Sequence, residues 1–420
     1  MTFKLNDEQE QAVIAMAEYL SNEEPFFVLS GQAGVGKTTC VKSLTAHTKG
    51  RIVFTAPTNK AVSVIRSVLT DDNFIPDCCT IYSLLGLKME PSGEVKILSA
   101  PDPTAYKISN YDLVVVDEAG MLNSQVFSYV QSAADTGIKF LFMGDAAQLP
   151  PVGESRSPIW DIQEGFELTK VMRHDNQILT LATAIREWQG QQFPRVQIAG
   201  SSDINGGVVK LNASGLQTKM LDYAKEGLFS KPGFCKALAW RNVTVNSTNK
   251  MLRQAMFHNP GVWEPGERIL AASPIKDLEG NKIASTDDEG TVLSVSIEQH
   301  PLFMDMRVYR LNCAMDTNTN ATFFVLHEDS MGDFKLQKEK LLATAKRRPN
   351  KKTWNDFWFF VESMHDIRYG YATTVHRSQG STYTDTFVDV LDILRNGDRK
   401  EALQCLYVAC TRSKRFLFVA

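Results

Sequence analysis

A glycine-rich stretch, GQAGVGKTT at residues 31–39, follows directly on the apolar run FFVLS and constrains the fold more than any other part of the sequence. Gly31, Gly36, Lys37 and Thr38 satisfy the pattern G-x-x-x-x-G-K-[ST]. The context predicts a buried strand, a loop and a helix opened by that loop. Glycines let the backbone wrap phosphates, the helix N-terminus meets their charge, Lys37 reaches the terminal phosphates, and Thr38 binds Mg²⁺. The alternative is a chance glycine turn.

The stretch therefore predicts a nucleoside-triphosphate site. The residues predicted to line it are Gly31, Gln32, Ala33, Gly34, Val35, Gly36, Lys37, Thr38 and Thr39.

Two later apolar runs end in polar residues that suit the same site. YDLVVVDEAGM is continuously apolar before Asp117 and Glu118, as expected of a strand buried in a parallel sheet. Asp117 is placed to hold Mg²⁺ through water, and Glu118 to polarise an attacking water. KFLFMGDAAQLPPVG ends in Asp145 and Gln148, and the glutamine could sense the terminal phosphate. The alternatives are a surface acidic pair at one strand end and a polar turn stopped by prolines at the other.

Two loops between these runs have small polar side chains. IVFTAPTNKAV reads as a strand that ends in residues 55–59, and CTIYSLLG offers Thr80, Tyr82 and Ser83. Hydroxyls and backbone amides of this kind suit a sugar-phosphate backbone. The alternative for each loop is an ordinary cap where a strand passes into a helix.

Length and composition bound the remaining possibilities. At 420 residues the chain has room for about two to three domains. No apolar stretch approaches the roughly 20 residues of a membrane span, and the N-terminus does not have the pattern of a signal peptide. Seven cysteines without C-x-x-C spacing favour a reduced, cytosolic chain without structural zinc. Because the net charge is only −3, nucleic-acid contacts must depend on local patches.

The second half of the chain repeats the α/β pattern. CKALAW and the residues after it predict a strand and a helix, YATTVHRSQGSTYTDTFVDV a loop between strands, and residues 400–420 a helix, a turn and a final strand. In that helix Leu403, Leu406, Tyr407 and Cys410 have the spacing of a core-facing side.

Two arginines lie outside any obvious surface helix, Arg173 in LTKVMRHD and Arg412 at the end of the last helix. An inter-domain nucleoside triphosphatase needs such remote arginines to neutralise transition-state charge. The alternative is that either one is a solvated surface residue.

Two segments interrupt the α/β pattern. Residues 86–110 are turn-rich, with PSG between two strand-like pieces, and a plain surface hairpin is one interpretation. Residues 264–370 contain the β-like pieces GERILAA, GTVLSVSIE, MRVYRLNC and ATFFVLHE. FKLQKEKLLATAKRRPNKK follows, with eight Lys/Arg against one Glu, and is either a solvated face or a DNA path. Trp354, Phe357, Trp358 and Val361 have the spacing of a packed helix face rather than of a base-stacking surface.

The ordered series of motifs resembles the superfamily-1B helicases of the RecD/Dda branch, and its size and layout are most similar to the phage Dda members. The motifs are GQAGVGKT, TAPTNKAV, TIYSLLG, VVVDEAGM, GDAAQLPPVG, LTKVMR, LAWRN, TTVHRSQGST and LYVACTR. The resemblance runs from LNDEQEQAV to VACTR and covers nearly the whole chain.

The resemblance implies an α/β fold with two RecA-like P-loop cores. Residues 1–170 would form the first core, with a pin-like hairpin at 86–110. Residues 171–263 plus 371–420 would form the second core. Residues 264–370 would be an SH3-like β-barrel insertion with a basic and aromatic helical segment.

The resemblance also assigns roles to matching residues, with ATP and Mg²⁺ as cofactors. Gln9 would read the adenine, Lys37 and Thr38 would hold phosphate and Mg²⁺, and Asp117 and Glu118 would run hydrolysis. The implied γ-phosphate sensors are Gln148, Arg173, Gly380 and Arg412. The implied single-stranded DNA contacts are Pro57, Thr58, Asn59, Thr80, Tyr82, Asn242, Thr374 and His376. Three positions depart from the family's usual residue: Gly120 replaces serine, Tyr82 replaces histidine and Arg377 replaces lysine.

The function that follows from the resemblance is that of a monomeric, ATP-dependent DNA helicase that moves 5′-to-3′ on single-stranded DNA and unwinds duplex. Its setting would be phage-type DNA replication, recombination or repair. Its partners would be single-stranded DNA, duplex junctions and a single-strand-binding or replisome protein, with no membrane. Two alternatives stay open: a translocase that strips proteins from single strands with little unwinding, and a non-motor P-loop scaffold.

Overall fold

The computed structural model describes residues 5–45, 48, 50–70, 74–89, 95–97, 107–170, 177–188 and 206–420. In chain order the helices and strands up to residue 210 are α1 (Asp7–Ser21), β1 (Phe26–Gly31), α2 (Lys37–Thr45), β2 (Ile52–Ala56), α3 (Asn59–Leu69), β3 (Asp77–Thr80), α4 (Ile81–Leu84), β4 (Leu87–Met89), β5 (Val95–Ile97), β6 (Leu113–Val116), α5 (Ser124–Ala134), β7 (Lys139–Gly144), β8 (Gly165–Leu168), α6 (Gln177–Arg186) and β9 (Gly207–Lys210). From residue 211 they are α7 (Ala213–Lys225), β10 (Cys235–Ala239), α8 (Asn242–Met256), β11 (Arg268–Ala271), β12 (Ile275–Lys276), β13 (Lys282–Ala284), β14 (Glu289–Gln299), β15 (Arg307–Met315), β16 (Asn320–Leu326), α9 (Met331–Arg347), α10 (Lys351–Glu362), β17 (Ile367–Tyr369), β18 (Ala372–Thr374), α11 (Val375–Ser378), β19 (Tyr383–Val388), α12 (Val390–Ile393), α13 (Arg399–Thr411) and β20 (Ser413–Val419).

The first sheet has six strands in the order β3-β2-β6-β7-β1-β8, and all five neighbouring pairs are parallel. Its central strand β6 reads LVVV and is buried along its whole length, which explains the continuous apolar run in the sequence. The parallel α/β order predicted for this half is confirmed. Because carboxyl ends of parallel strands meet at one edge, the loops after β1, β6 and β7 are neighbours there.

Helices cover both faces of this sheet. Successive residues of β6 point to opposite faces, so Val115 packs with α1, α2 and α3, whereas Val114 and Val116 pack with α5. Helix α1 begins at a capping box in which the side chains of Asn6 and Gln9 each accept a hydrogen bond from the other's backbone amide. This cap also fixes the position of Gln9, which is buried.

The second sheet has the order β18-β10-β19-β20-β9, and β10 pairs in parallel with β18 and with β19. The predicted strand and helix after residue 235 are β10 and α8, and the predicted final helix and strand are α13 and β20. In α13 the side chains of Leu406, Tyr407 and Cys410 are buried and Leu403 is half-buried, so the predicted core face is confirmed. The predicted loop between β18 and β19 contains the one-turn helix α11.

The insertion predicted to be β-rich is an antiparallel sheet with the order β16-β15-β14-β11-β17. The four β-like pieces noted in the sequence correspond to β11, β14, β15 and β16. Between β16 and β17 the chain forms two helices, α9 and α10. Phe357 is buried and Trp354, Trp358 and Val361 are half-buried, so the prediction that this face of α10 packs is confirmed.

A buried network of charged side chains ties this insertion to the second sheet. Lys236 of β10 is 3% exposed, and its ammonium lies 2.8 Å from a carboxylate oxygen of Glu289 in β14. Arg268 of β11 is 2% exposed and pairs with Asp316 at 2.5 Å and with Glu289 at 3.3 Å. The Lys236 ammonium also donates to the carbonyl oxygen of Gly370. Buried charges persist only when they are paired and hydrogen-bonded in this way.

By its contacts the chain divides into two compact units. The first comprises residues 1–209, 378–382 and 393–417, and the second comprises 210–377, 383–392 and 418–420. The three-part division anticipated from the sequence, with boundaries at residues 170, 263 and 370, stays a prediction. In the segment 86–110, β4 and β5 pair antiparallel as a hairpin, while residues 90–94 and 98–106 lie outside the described residues. Among the helices that the structure describes, none combines the length and the apolar character needed to cross a membrane.

Candidate nucleotide site and nucleic-acid interface

The glycine loop lies between β1 and α2, as its sequence predicts. Gly31, Gly34 and Gly36 have φ values of 152°, 87° and 90°, which L side chains rarely adopt. The Lys37 ammonium donates to the carbonyl oxygen of Gly31 at 2.5 Å and of Gln32 at 3.2 Å. The lysine therefore folds over its own loop, where its charge is available to phosphate oxygens.

Gln9 buttresses this loop from α1. Its amide Nε2 donates to the carbonyl oxygen of Val35 at 2.9 Å. A Cβ atom at Gly36 would lie 2.4 Å from that same nitrogen, so the glycine leaves the room that Gln9 occupies. The predicted role of Gln9 in reading adenine stays a prediction, and the structure adds a role in holding the loop.

The donor set fits a nucleoside triphosphate and a divalent cation. The loop has three glycines with positive φ, and a Cβ at Gly31 or Gly36 would collide with Leu168 O at 2.5 Å or with Gln9 Nε2 at 2.4 Å. Consecutive backbone amides in such turns bind anions. Thr38 stands in the first turn of α2, and Asp117 directly follows β6. A hydroxyl and a carboxylate are the oxygen ligands that Mg²⁺ prefers. These residues would hold the metal and the phosphates.

Asp117 and Glu118 form an acidic pair at the end of β6. Asp117 Oδ1 accepts a hydrogen bond from the Glu118 backbone amide at 2.9 Å. Glu118 itself has φ 49° and ψ 35°, a left-handed conformation that is costly for a non-glycine residue and is frequent at functional sites. The bend directs the chain into a short 3-10 helix, Ala119–Met121, directly after the acidic pair.

The local electrostatics hold Glu118 near the protonation state of a general base at neutral pH. Burial and the charge of Asp117 raise the pKa of Glu118 to about 7, against the opposing charges of Arg412 and Lys37. Burial also raises the pKa of Asp117. Because the charge of Arg412 opposes the rise in the pKa of Glu118, this arginine of the last helix lies within electrostatic range of the acidic pair. Its role in neutralising transition-state charge stays a prediction.

A hydrogen-bond network joins the loop after β7 to distant parts of the first unit. Gln148 is buried, and its Oε1 accepts from Gln379 Nε2 at 3.1 Å. Its backbone oxygen accepts from Gln404 Nε2 at 3.0 Å. The Tyr407 hydroxyl donates to Asp145 Oδ2. The backbone of Ala33 in the glycine loop is close enough to oppose the rise that burial causes in the pKa of this phenol. Gln148 is therefore hydrogen-bonded to residues of two later segments, an arrangement that suits a sensor of the terminal phosphate.

Arg412 is buried and well anchored. Its guanidinium donates from Nε to Val408 O at 3.0 Å, from Nη1 to Ser381 O at 3.0 Å, and from Nη2 to Thr411 Oγ1 at 2.9 Å. The alternative of a solvated surface arginine is therefore wrong for this residue. Gly380 lies beside Ser381 with φ +74°, and a Cβ there would lie 3.4 Å from the Ala61 side chain.

The side chains predicted to contact DNA from the first unit make local caps. Thr58 is the N-cap of α3 and accepts from Ala61 N at 3.2 Å, and Thr80 is the N-cap of α4 and accepts from Ser83 N at 3.1 Å. The capping alternative is therefore confirmed for both hydroxyls. DNA contact at these loops stays a prediction. Tyr82 is half-buried against the core.

In the second unit an open groove of about 930 Å³ collects other candidate DNA residues. Asn242 at the start of α8 and the buried Thr374 at the end of β18 both line it. Trp263 and Tyr369 stand together in its wall with ring centroids 4.8 Å apart. The groove is also lined by basic side chains, namely Lys250, Arg253, Arg368 and Arg377. Cations beside aromatic rings are the features that bind single-stranded nucleic acid.

Three further positions singled out in the sequence are Arg173, His376 and Gly120. Arg173 lies outside the described residues. His376 is exposed in α11, and the groove lining does not include it. At Gly120 a Cβ would lie 3.2 Å from the Trp160 ring, so a serine at this position would force that ring to shift by a few tenths of an ångström.

Comparison with known proteins agrees with this geometry. An AAA domain matches residues 4–200, and a UvrD-like helicase C-terminal domain matches residues 369–420. The ATP-dependent DNA helicase dda of Enterobacteria phage T4 is 22% identical over 455 residues and is covered over 100% of both chains. An uncharacterized protein of Acanthamoeba polyphaga mimivirus is 23% identical, over 98% of this chain and 99% of its own.

Solved structures show the same fold. Pif1 helicases, in a structure of two that coordinate at forked double-stranded DNA, align with a TM-score of 0.57 at 15% identity, over 99% of this chain and 92% of theirs. The chain is a superfamily-1B helicase of the RecD and Dda type, and it shares the fold of the Pif1 helicases.

For this helicase, sequence reasoning missed several residues of the nucleotide site. Asp145 was noted only as a strand end and Tyr407 only as a core residue, yet the two are bonded across 262 positions of the sequence. Gln379 and Gln404 were not singled out. The available signal was polarity: each has a hydrogen-bonding group in a segment otherwise occupied by core residues, and such groups need a partner.

Proposed function

We infer that this chain uses ATP hydrolysis to move 5′-to-3′ on single-stranded DNA and to unwind the duplex ahead of it. The observation that carries the inference is the convergence of Lys37, Asp117, Glu118, Gln148 and Arg412 in one compact unit. A scaffold that only binds nucleotide does not need a general base together with a glutamine and an arginine that are buried and hydrogen-bonded.

Each of these residues has a task that its position supports. The bound nucleotide supplies the free energy of its phosphoanhydride bond, with Mg²⁺ offsetting phosphate charge. Lys37 and the glycine-loop amides bind phosphate, and Thr38 and Asp117 hold the metal. Glu118 orients and deprotonates water, because its pKa lies near neutrality. Arg412 presents its charge toward the same acidic pair.

The groove of the second unit is the proposed path of single-stranded DNA there. Contacts to the DNA backbone would come from Asn242, Thr374, Lys250 and Arg368. The half-buried ring of Tyr369 would flank a base, and the buried Trp263 would support that ring. We assign the β4–β5 hairpin as the strand-separating pin and the β-rich insertion as an SH3-like barrel. The antiparallel pairing of both segments supports these assignments. The boundaries at residues 170, 263 and 370 belong to the same proposal.

The test combines turnover and polarity. We expect ATP turnover to rise when single-stranded DNA is added, and we expect unwinding of a duplex with a 5′ tail but little of one with only a 3′ tail. Equal or preferential unwinding of the 3′-tailed duplex would overturn the polarity. DNA-stimulated turnover with protein displacement but no unwinding would favour the translocase, and turnover indifferent to DNA would favour the scaffold.

A variant pair tests the general base. Glu118→Gln keeps the shape and removes the carboxylate, so ATP binding should persist while hydrolysis falls by roughly 10²-fold or more. Glu164→Gln makes the same chemical change at an exposed position and is the matched control. Retained hydrolysis with lost nucleotide affinity in Glu118→Gln would make this residue structural.

A further inference from the structure

Two consecutive helices between β16 and β17 carry a dense run of basic residues. We name α9 and α10 together the arm (residues 331–362) and the turn that joins them the arm tip (residues 346–352). Residues 335–352 carry eight basic residues and one acidic residue, a net charge of +7. Since the whole chain has a net charge of −3, all other residues together carry −10. The positive charge is therefore concentrated on one small element of an otherwise acidic chain.

The arm is an ordered support for that charge. The rings of Phe334 in α9 and Phe360 in α10 stack with centroids 5.1 Å apart, and Ala345 and Phe357 are buried in the same seam. The tip is also fixed, because Asn350 caps α10 in a capping box with Thr353. A rigid tip loses little conformational entropy when it binds a partner.

The basic residues of the tip are free of internal partners. Lys346, Arg347, Arg348, Lys351 and Lys352 are all exposed, and within residues 206–420, which are described throughout, none of the five makes an ion pair. Lys346 and Arg347 lie at the negative end of the α9 dipole, which favours them, whereas Lys351 and Lys352 lie at the positive end of the α10 dipole, whose first turn has no acidic residue. Five like charges within seven residues also repel one another, so the tip is a concentrated source of positive potential.

The chemistry of the tip selects one kind of partner. Residues 346–352 include no aromatic or aliphatic side chain, only basic residues, one proline and one asparagine. A peptide partner would need an apolar anchor, and a single strand is normally held by aromatic stacking as well as charge. Duplex DNA offers a dense row of phosphates and needs only cations for sequence-independent binding.

We propose that the arm tip binds the phosphate backbone of duplex DNA, independently of sequence, at a site separate from the groove of the second unit. The proposal rests on the proposed function in that DNA is the substrate. In this proposal the arm tip binds duplex DNA, and the groove of the second unit binds single-stranded DNA. The tip would then raise the affinity of the helicase for junctions that carry duplex, without taking part in ATP turnover.

The test neutralises the tip and measures how duplex binding depends on salt. The variant combines Lys346→Gln, Arg347→Gln, Lys351→Gln and Lys352→Gln, which keep helix propensity at exposed positions. The matched control converts four other exposed lysines of the second unit to glutamine, namely Lys210, Lys225, Lys231 and Lys276. The probes are a blunt 20-base-pair duplex and a 12-nucleotide single strand, each titrated from 50 to 200 mM salt.

Each phosphate contact contributes about 0.9 to the slope of log affinity against log salt. If all four cations contact phosphates, the magnitude of the duplex slope should be about 3.6 smaller in the tip variant than in wild type. Between 50 and 200 mM salt, the tip variant should then lose roughly 100-fold less duplex affinity than wild type loses. Single-strand affinity and single-strand-stimulated ATP turnover should match wild type, and the control variant should leave the duplex slope unchanged.

The proposal would be overturned if the duplex slope of the tip variant differed from that of wild type by less than about 2. It would also be overturned if the control variant showed as large a difference. An equal loss on the single strand would also overturn it, by placing the tip on the single-strand path. Failure of the proposed function would appear differently, as absent DNA-stimulated turnover or unwinding in the wild-type chain, while the duplex slopes would still report on the arm.

Discussion

Replacing Tyr407 with phenylalanine tests whether the last helix holds the nucleotide loop in place. Tyr407 is 2% exposed, and its hydroxyl donates to the Asp145 carboxylate, beside the backbone of Ala33 in the glycine loop. The substitution removes this bridge between the last helix and Asp145 and keeps the ring. Asp145, which is 3% exposed, would retain the Ala147 amide at 3.1 Å and Arg186 at the longer distance of 3.7 Å.

The magnitude follows from the charged acceptor. Hydrogen bonds to charged groups contribute about 1.5–3 kcal/mol, so we expect Tyr407→Phe to lower the free energy of unfolding by that amount. If the bridge also positions the glycine loop, the same free energy appears as loss of transition-state stabilisation. The value of kcat/KM for ATP should then fall about 10- to 150-fold.

A second buried tyrosine provides the matched control. The Tyr223 hydroxyl donates to Asp385 Oδ2 at 3.1 Å, with Tyr223 7% exposed and Asp385 fully buried, in the second unit. Tyr223→Phe should lose similar stability in denaturant unfolding and leave kcat/KM for ATP near wild type, measured well below the unfolding transition. If Tyr407→Phe lowers kcat/KM no more than Tyr223→Phe does, the bridge is merely structural and the reasoning is refuted.

Three further predictions follow from the structure. Lys37→Ala should abolish ATP turnover while much single-stranded DNA binding survives, and turnover within about threefold of wild type in a phosphate-release assay would contradict the glycine-loop assignment. Gly36→Ala and Gly137→Ala, at φ +90° and +92°, should each cost about 1–2 kcal/mol of stability. Only Gly36→Ala should also weaken ATP binding, because its Cβ meets Gln9 whereas Gly137 has open space. Burial lowers the pKa of His365 to about 4, so the unfolded chain takes up a proton first as pH falls below about 6.5. The free energy of unfolding should therefore drop between pH 7 and pH 4.5 by about 2.4 kcal/mol more in wild type than in His365→Asn. Equal drops in the two proteins would refute this prediction.

Much of the fold and of the phosphate site could be predicted because the relevant patterns are local. The loop at residues 31–39 and the carboxylates after β6 each combine an apolar strand with the polar residues that follow it directly. Parallel pairing then brings these strand ends to one edge without further information. The same locality explains why the capping alternative for Thr58 and Thr80 is correct, since an N-cap hydroxyl answers to an amide three residues away.

The remaining features depend on contacts that no local pattern contains. The bond between Tyr407 and Asp145 joins helices and loops far apart in the chain, and the periodicity of α13 marks Tyr407 only as buried. The basic stretch was ambiguous because charge alone does not say whether a partner lies inside the protein. The structure adds that the five basic side chains of the tip are exposed and that, within residues 206–420, none of them makes an ion pair. Arg173 lies outside the described residues, so its role as a sensor of the γ-phosphate stays a prediction.

The buried network of Lys236, Glu289, Arg268 and Asp316 limits how this chain can be rebuilt. An insertion held to its host by apolar contact could be cut out or exchanged between relatives, with the exposed patch refilled by small substitutions. Here excision would leave the Lys236 ammonium buried without Glu289, a defect worth about 3–5 kcal/mol. The β-rich insertion and the second sheet are therefore coupled through buried charge, and a chimera that exchanges the insertion should fold only when position 236 is exchanged with it.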